Sequence, residues 1–335
     1  MINADFMRFF NEVIAPAQAT AAEAFPKTPA PDGVSEEAKF FIENDKGPSP
    51  PVDVFDPPTR AMVRNLINAM WLSIEPHLGI EHTSVEEPIA GVPCKTFTPK
   101  TLKNTKQKIL YLHGGAYWLG SAEANSSVAL SLADKTGLEV ISADYRLAPE
   151  HPCPAALEDA VTVYKALLAS GIAPKNISIA GKSAGGGLAL STAQEIVRIG
   201  LPKPAAIGLI APWTDLTFSG DSHKENNMCM DTRLSVEGLT GAAKAYAGKL
   251  ALTNPQVSPL FAKFVGLPPM LVQVGSREIL LSDATRLETK ARTAGVDVTL
   301  NVYEGMWHVW QFYPHIPEAT EALQEMADFF GDKMG

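Results

Sequence analysis

Ser183 stands in the segment NISIAGKSAGGG, residues 176–187, whose residue types admit two different chemistries. Aligned on its GKS, the segment is one residue short of a phosphate-binding loop of the form G-x-x-x-x-G-K-[ST], with Asn176 where the first glycine belongs. Aligned as G-K-S-A-G, it is a tight turn that presents a serine hydroxyl as a nucleophile. A phosphate loop needs several residues between its strand and its lysine, because their backbone N–H groups wrap the phosphates. Here ISIA is itself strand-like and runs straight into Gly181, so the wrap has no room. The nucleophile turn needs what is present. A strand ends abruptly, Gly181 and Gly185 flank the serine closely, and an Ala-rich helix follows with its N-terminal dipole toward the hydroxyl.

A serine hydroxyl requires a base, a group that orients the base, and donors for the oxyanion that forms on its target. The segment ILYLHGGAYWLGS, residues 109–121, supplies a glycine-rich loop directly after an apolar strand and upstream of Ser183, where backbone N–H groups can face an oxyanion. Alone it would read as an ordinary Gly-Gly turn; its position before the serine turn argues for more. YEGMWHVWQF, residues 303–312, sets His308 just after the last strand-like run. A histidine between tryptophans is commonly a packed one, but the order serine, acid, histidine expected of this topology selects His308. His315 lies beyond the loop in a Pro-flanked segment. For the acid, SREILLSDA offers two carboxylates: Glu278 lies in the loop after the strand MLVQVG, whereas Asp283 is placed to begin the next helix, where the dipole favours an acid without catalytic need.

The elements that must hold these groups alternate. Short β-branched runs at 95–99, 108–112, 139–145, 177–181, 205–213, 270–275 and 296–303 are separated by segments of 3.6-residue periodicity, such as AEANSSVALSLADKTG and ALEDAVTVYKALLAS. This pattern predicts an α/β protein with a mostly parallel sheet covered by helices on both faces. Residues 1–80 differ: Pro-rich joints separate stretches with helical spacing, including Phe6, Phe9, Phe10 and Val13, and Met62, Leu66, Met70 and Leu72. They predict a small helical cap, and the strand-poor stretch 218–250 is expected to contribute to it, leaving 81–335 as the catalytic domain.

The set HGGA, DYRLAPEHPCPAALED, GKSAGG, SPLFAKFVGLPPMLVQVG and GMWHVW resembles the hormone-sensitive-lipase family of bacterial α/β-hydrolase esterases, over roughly residues 85–332. The resemblance implies an α/β-hydrolase fold and a serine carboxylesterase acting on short-to-medium acyl esters through an acyl-enzyme, without a cofactor. It implies Ser183 as nucleophile and His308 as base, and it aligns the family's catalytic aspartate with Glu278. Oxyanion donors would be the N–H groups of Gly115, Ala116 and Ala184, with Gly114 shaping the loop and His113 bracing it. Three positions depart from the family pattern: Ala116 for a third glycine, Lys182 for an acid before the serine, and Glu278 for aspartate. Tyr117, Trp118, Trp213, Met306 and Trp307 lie in loops near the serine, where they can line a substrate pocket or belong to the core. Asp144, Arg146 and Glu150 of the DYRLAPEHP block are expected to form one structural polar network. A lactonase or amidase with the same triad, or a non-catalytic small-molecule receptor, is the alternative on this fold.

The 335 residues carry a net charge of −9, which argues against a nucleic-acid-binding surface. No uncharged apolar run reaches the roughly 18 to 20 residues of a membrane span, and MINADFMRFFNEVIAPAQAT, with Asp5 and Glu12 inside it, reads as an amphipathic helix, not a signal peptide. Cys94, Cys153 and Cys229 form no C-x-x-C pair and the seven histidines no metal motif, so reduced thiols, a cytoplasmic location and no metal are expected. A homodimer through the last strand is compatible with the family resemblance.

Overall fold

The computed structural model of the protein describes residues 2–17, 29–45, 47–48, 51–224 and 231–335; Cys229 and part of the 218–250 stretch lie outside them. Eight strands form one sheet: β1 (His82–Ile89), β2 (Val92–Pro99), β3 (Asn104–Leu112), β4 (Leu138–Ala143), β5 (Ile177–Lys182), β6 (Ala206–Ile210), β7 (Met270–Gly275) and β8 (Val298–Tyr303). Their order across the sheet is β1-β2-β4-β3-β5-β6-β7-β8, with β3 to β8 parallel and β1 and β2 antiparallel at one edge. The helices are α1 (Ala4–Phe9), α2 (Glu36–Asn44), α3 (Pro57–Leu72), α4 (Ser126–Thr136), α5 (Ala155–Ala169), α6 (Ala184–Arg198), α7 (Val236–Ala247), α8 (Leu281–Thr293) and α9 (Pro317–Met334).

The central strands are apolar on both faces because both faces are covered. Leu110, Leu112, Ile177, Ile179, Leu209 and Val272 turn one way, toward α5, α6 and α8. Ile109, Tyr111, Ala180, Ile210 and Leu271 turn the other way, toward α4 and α9. This is the mostly parallel α/β sheet, covered on both faces, that the alternation predicts. β1 escaped the sequence reading because HTSVEEPI has neither an apolar run nor an alternation. It is an exposed edge strand paired on one side only, so its sequence carries almost no burial signal.

The N-terminal helices attach in two ways. Phe6, Phe9 and Phe10 of α1 and the π-helical turn after it, with Ala38, Phe41 and Ile42 of α2, join the same apolar cluster as α4, α9 and Trp307. Helix α3 behaves differently. Its spacing predicts an apolar face, yet Met62 and Leu66 are 63% and 64% exposed. The opposite side is the anchored one, through Arg60 and Arg64. Both guanidinium groups bond Glu150 at 2.8–2.9 Å, and Arg64 also donates to the carbonyls of Trp118 and Ala148.

Those contacts correct the reading of DYRLAPEHP as one network. Glu150 pairs with α3, Arg146 pairs with Asp159 and Glu158 of α5, and the Asp144 carboxylate accepts from Ala122 N at 3.1 Å. Each charge is met by the nearest element rather than by its sequence neighbours, so the block fastens three parts of the fold to one loop.

Candidate active site

Ser183 occupies the junction of β5 and α6 with φ +55° and ψ −123°, a conformation that costs an L-residue on the order of 1–3 kcal/mol. The surroundings enforce it. Its N–H donates to the Ile210 carbonyl at 2.8 Å, and its own carbonyl accepts from Trp213 N at 3.0 Å and Gly187 N at 3.1 Å. The glycines are required by close approach: a Cβ on Gly181 would lie 2.1 Å from the Gly185 carbonyl oxygen, and one on Gly185 would lie 2.0 Å from that of Leu112. The strained turn leaves the serine partly exposed while its neighbours on both sides are buried.

His308 lies in the loop after β8 and is 8% exposed. Its Nε2 is 2.9 Å from Ser183 Oγ, and its Nδ1 is 2.7 Å from Glu278 Oε2. The other carboxylate oxygen of Glu278 accepts from Gly275 N at 2.7 Å. A carboxylate at Nδ1 favours the tautomer with the proton on that nitrogen, which leaves Nε2 as the acceptor for the serine proton. The loops carrying these two residues are stitched together. Arg277 N donates to the Met306 carbonyl at 3.0 Å, Gly305 N donates to Ser276 Oγ at 2.9 Å, and a Cβ on Gly275 would strike the Met306 carbonyl oxygen at 2.2 Å. Glu278 thus reaches His308 with one carboxylate oxygen while the other is held by the backbone.

Asp283 sits elsewhere. Its Oδ1 accepts from Thr214 N and Asp215 N, both at 2.7 Å, and its Oδ2 lies 3.2 Å from Nε2 of the buried His223. Of the two carboxylates offered by the sequence, Glu278 is the one in contact with His308.

The loop after β3 passes beside the serine. A Cβ on Gly114 would be 3.3 Å from Ser183 Cβ, and the backbone takes positive φ at Gly115 (+124°), Ala116 (+50°) and Tyr117 (+64°). Trp118 N and Leu119 N both close back on the Gly115 carbonyl, at 3.0 and 2.8 Å. Among the described residues no acceptor is bonded to Gly115 N or Ala116 N. His113 is fully buried, stacked at 4.2 Å on Tyr145, with Nδ1 2.8 Å from the Gly114 carbonyl oxygen, and Tyr145 Oη donates to the His113 carbonyl at 2.6 Å. The loop is held from below by these two rings.

The five aromatic and Met residues near the serine are core residues by exposure, none above 5%. Trp307 stacks on Phe41 of α2 at 4.2 Å, with Met306 in the same cluster. On the opposite face Tyr117 stacks on Tyr246 of α7 at 3.5 Å, and Trp213 lies 6.0 Å from both Tyr117 and Phe218. Lys182 is also buried, its Nζ 3.6 Å from the Phe312 ring centre and 5.3 Å from that of Trp71, and burial lowers its pKa to about 7. The charged residues that sequence reasoning missed around the site are Asp45, Arg64, Asp231 and Arg233. Only a D-x-R-L turn at 231–234 could have flagged any of them, and such turns are common. Among the described residues no group of His, Cys, Asp and Glu could hold a metal ion, and no helix is long and apolar enough to cross a membrane.

A family model for the alpha/beta hydrolase fold matches residues 109–312. An esterase of Acinetobacter venetianus is 42% identical over 232 residues, covering 69% of this chain and 76% of the relative. An acetyl-hydrolase of Streptomyces hygroscopicus is 36% identical over 297 residues, 83% of this chain and 98% of its own. The crystal structure of an esterase from the bacterial hormone-sensitive lipase family is similar over 100% of both chains, with a TM-score of 0.82 at 33% identity. The chain belongs to the α/β-hydrolase family. Within it, its place is with the bacterial hormone-sensitive-lipase esterases.

Proposed function

We propose that this carboxylic ester hydrolase cleaves short-to-medium acyl esters with Ser183 as nucleophile, His308 as general base and acid, and Glu278 as the group that orients His308. One observation carries the reading: the unbroken relay from Ser183 Oγ to His308 Nε2 at 2.9 Å and from Nδ1 to Glu278 at 2.7 Å. Oγ attacks the ester carbonyl as Nε2 takes its proton, and the same proton then leaves with the alcohol. The negative charge on the former carbonyl oxygen is met by the N–H groups of Gly115, Ala116 and Ala184, the last at the positive end of α6. Because these donors belong to the main chain, Ala116 serves where the family has glycine. Water repeats the sequence on the acyl-enzyme and releases the acid. No step requires a metal or cofactor.

The described parts of residues 1–80 and of the 218–250 stretch form the cap in this reading, and they restrict the acyl side of the cleft. The stacking of Phe41 on Trp307 and of Tyr246 on Tyr117 supports that role, since each places a cap ring against a loop beside the serine. The expected result is faster hydrolysis of a four-carbon than of a twelve-carbon p-nitrophenyl ester, with activity lost in Ser183→Ala by about a millionfold in kcat. A preference for the twelve-carbon ester would overturn the cap reading, and a fully active Ser183→Ala would overturn the triad. The outer edge of β8, where Val302 is 45% exposed, is the surface through which two copies would pair.

A further inference from the structure

The loop carrying Glu278 is gripped by a carboxylate from outside the hydrolase core. Asp231, in the segment leading into α7, is 0% exposed. Its Oδ1 accepts from Arg233 N and Leu234 N, both at 2.8 Å, closing a turn in its own chain. Its Oδ2 accepts from Ile279 N at 2.8 Å, the peptide N–H directly after Glu278. Arg233, two residues on, lies 3.2 Å from Asp45 and spreads over the rings of Phe41 at 4.7 Å and Tyr313 at 5.3 Å. Phe41 in turn stacks on Trp307, the residue before His308. One short stretch of chain therefore braces both members of the His308–Glu278 pair, the acid by a hydrogen bond to the peptide N–H that follows it and the histidine through a ring stack.

We infer that Asp231 is a positioning residue of the active site, fixing the peptide that carries Glu278 and adding a second negative charge to the surroundings of His308. The inference rests on the triad reading above. The charged groups around Asp231 are His308, Arg233 and, on the adjoining peptide, Glu278, with Asp45 and Tyr313 on the far side of Arg233. Burial raises the Asp231 carboxyl to about 6 against the pull of a charged His308. The attraction is mutual, so an ionised Asp231 favours the imidazolium that forms when Ser183 gives up its proton.

Asparagine separates the two halves of this role from mere folding. Asp231→Asn keeps an oxygen for the Arg233 and Leu234 N–H groups but turns an NH2 toward Ile279 N–H, so that bond and the charge are lost while the local turn survives. The expected result is a kcat for p-nitrophenyl butyrate lower by about 10- to about 100-fold with KM little changed. The acid limb of kcat/KM should also move to lower pH, because His308 loses a neighbour that favours its charged form. Asp231→Glu keeps the charge but displaces the peptide; it should lose kcat and leave the limb in place. If Asp231→Asn matches wild type in both kcat and limb, the inference fails. Glu278→Gln, run alongside, distinguishes the two readings. If it is as active as wild type the triad itself is wrong, whereas if it collapses while the Asp231 variants stay normal only this inference falls. Should Asp231→Asn fail to fold by near-ultraviolet circular dichroism, Asp231→Glu decides: full kcat overturns the inference, and reduced kcat with an unmoved limb supports it.

Discussion

Two buried histidine–carboxylate pairs flank the start of α8, and their carboxylates come from one stretch of chain, Glu278 and Asp283. In both the imidazole lies against an acid shielded from water. In the first pair the second ring nitrogen of His308 points at Ser183 Oγ, and Glu278 spends its remaining oxygen on a single backbone N–H. In the second pair the other nitrogen of His223 accepts from Gly220 N at 3.2 Å, and Asp283 is committed to the N–H groups of Thr214 and Asp215. Burial and pairing are therefore shared by both. What sets the first apart is that its far end terminates on a hydroxyl instead of on the main chain. A His–acid pair capped by backbone at both ends can only hold loops together; one that leaves a ring nitrogen facing a strained serine can move a proton.

The largest expected effects break the two pairs separately. Glu278→Gln leaves the size of the side chain intact but removes the charge that stabilises the imidazolium in the proposed triad, and kcat should fall by about 10⁴. Asp283→Asn should keep kcat within about tenfold of wild type, since it touches no reacting group. Instead it should lower unfolding free energy by about 3 kcal/mol, because His223 and the Thr214–Asp215 turn lose a buried partner. Steady-state kinetics and urea unfolding on the same preparations would check both. A variant at Asp283 with kinetics like those of Glu278→Gln would collapse the distinction and reopen the choice of acid.

The two pairs also mark where sequence reasoning reached and where it stopped. The Ser183 turn and the glycine loop at 114–116 were legible because each follows an apolar strand, and the position of His308 because it follows the last strand in the order serine, acid, histidine. For the acid, the loop position of Glu278 and the helix-start position of Asp283 already favoured Glu278, but only by local chemistry. What separates them is a pairing with residues far away in the chain, His308 and His223, and no local pattern encodes that. Asp231 and Arg233 were invisible for the same reason: a short polar turn in a strand-poor stretch looks like any loop until its partners at 279 and 45 are brought to it. The edge strand β1 was missed for the opposite cause, because nothing buries it.

A third buried charge has no acid bonded to it among the described residues. Lys182 is 4% exposed, and its ammonium group meets the rings of Phe312 and Trp71 instead of a carboxylate. Ring faces recover part of the hydration it loses, on the order of 2 kcal/mol, but less than a paired acid would. Burial accordingly lowers its pKa to about 7, whereas in the unfolded chain a lysine titrates near about 10.4. Below pH 7 the folded state must carry the charge and bears the full cost. As pH rises from there toward the unfolded value, the folded protein sheds its proton first, so stability climbs. Lys182→Met fills similar space without a charge, and at pH 6 it should be more stable than wild type by about 1–4 kcal/mol. The advantage should shrink steadily above pH 7 and nearly vanish by about pH 10. Urea unfolding of both proteins across that range would measure it. A gap that stays constant with pH would mean that Lys182 keeps its proton in the fold, with the two rings supporting it as fully as a carboxylate supports His308 or His223.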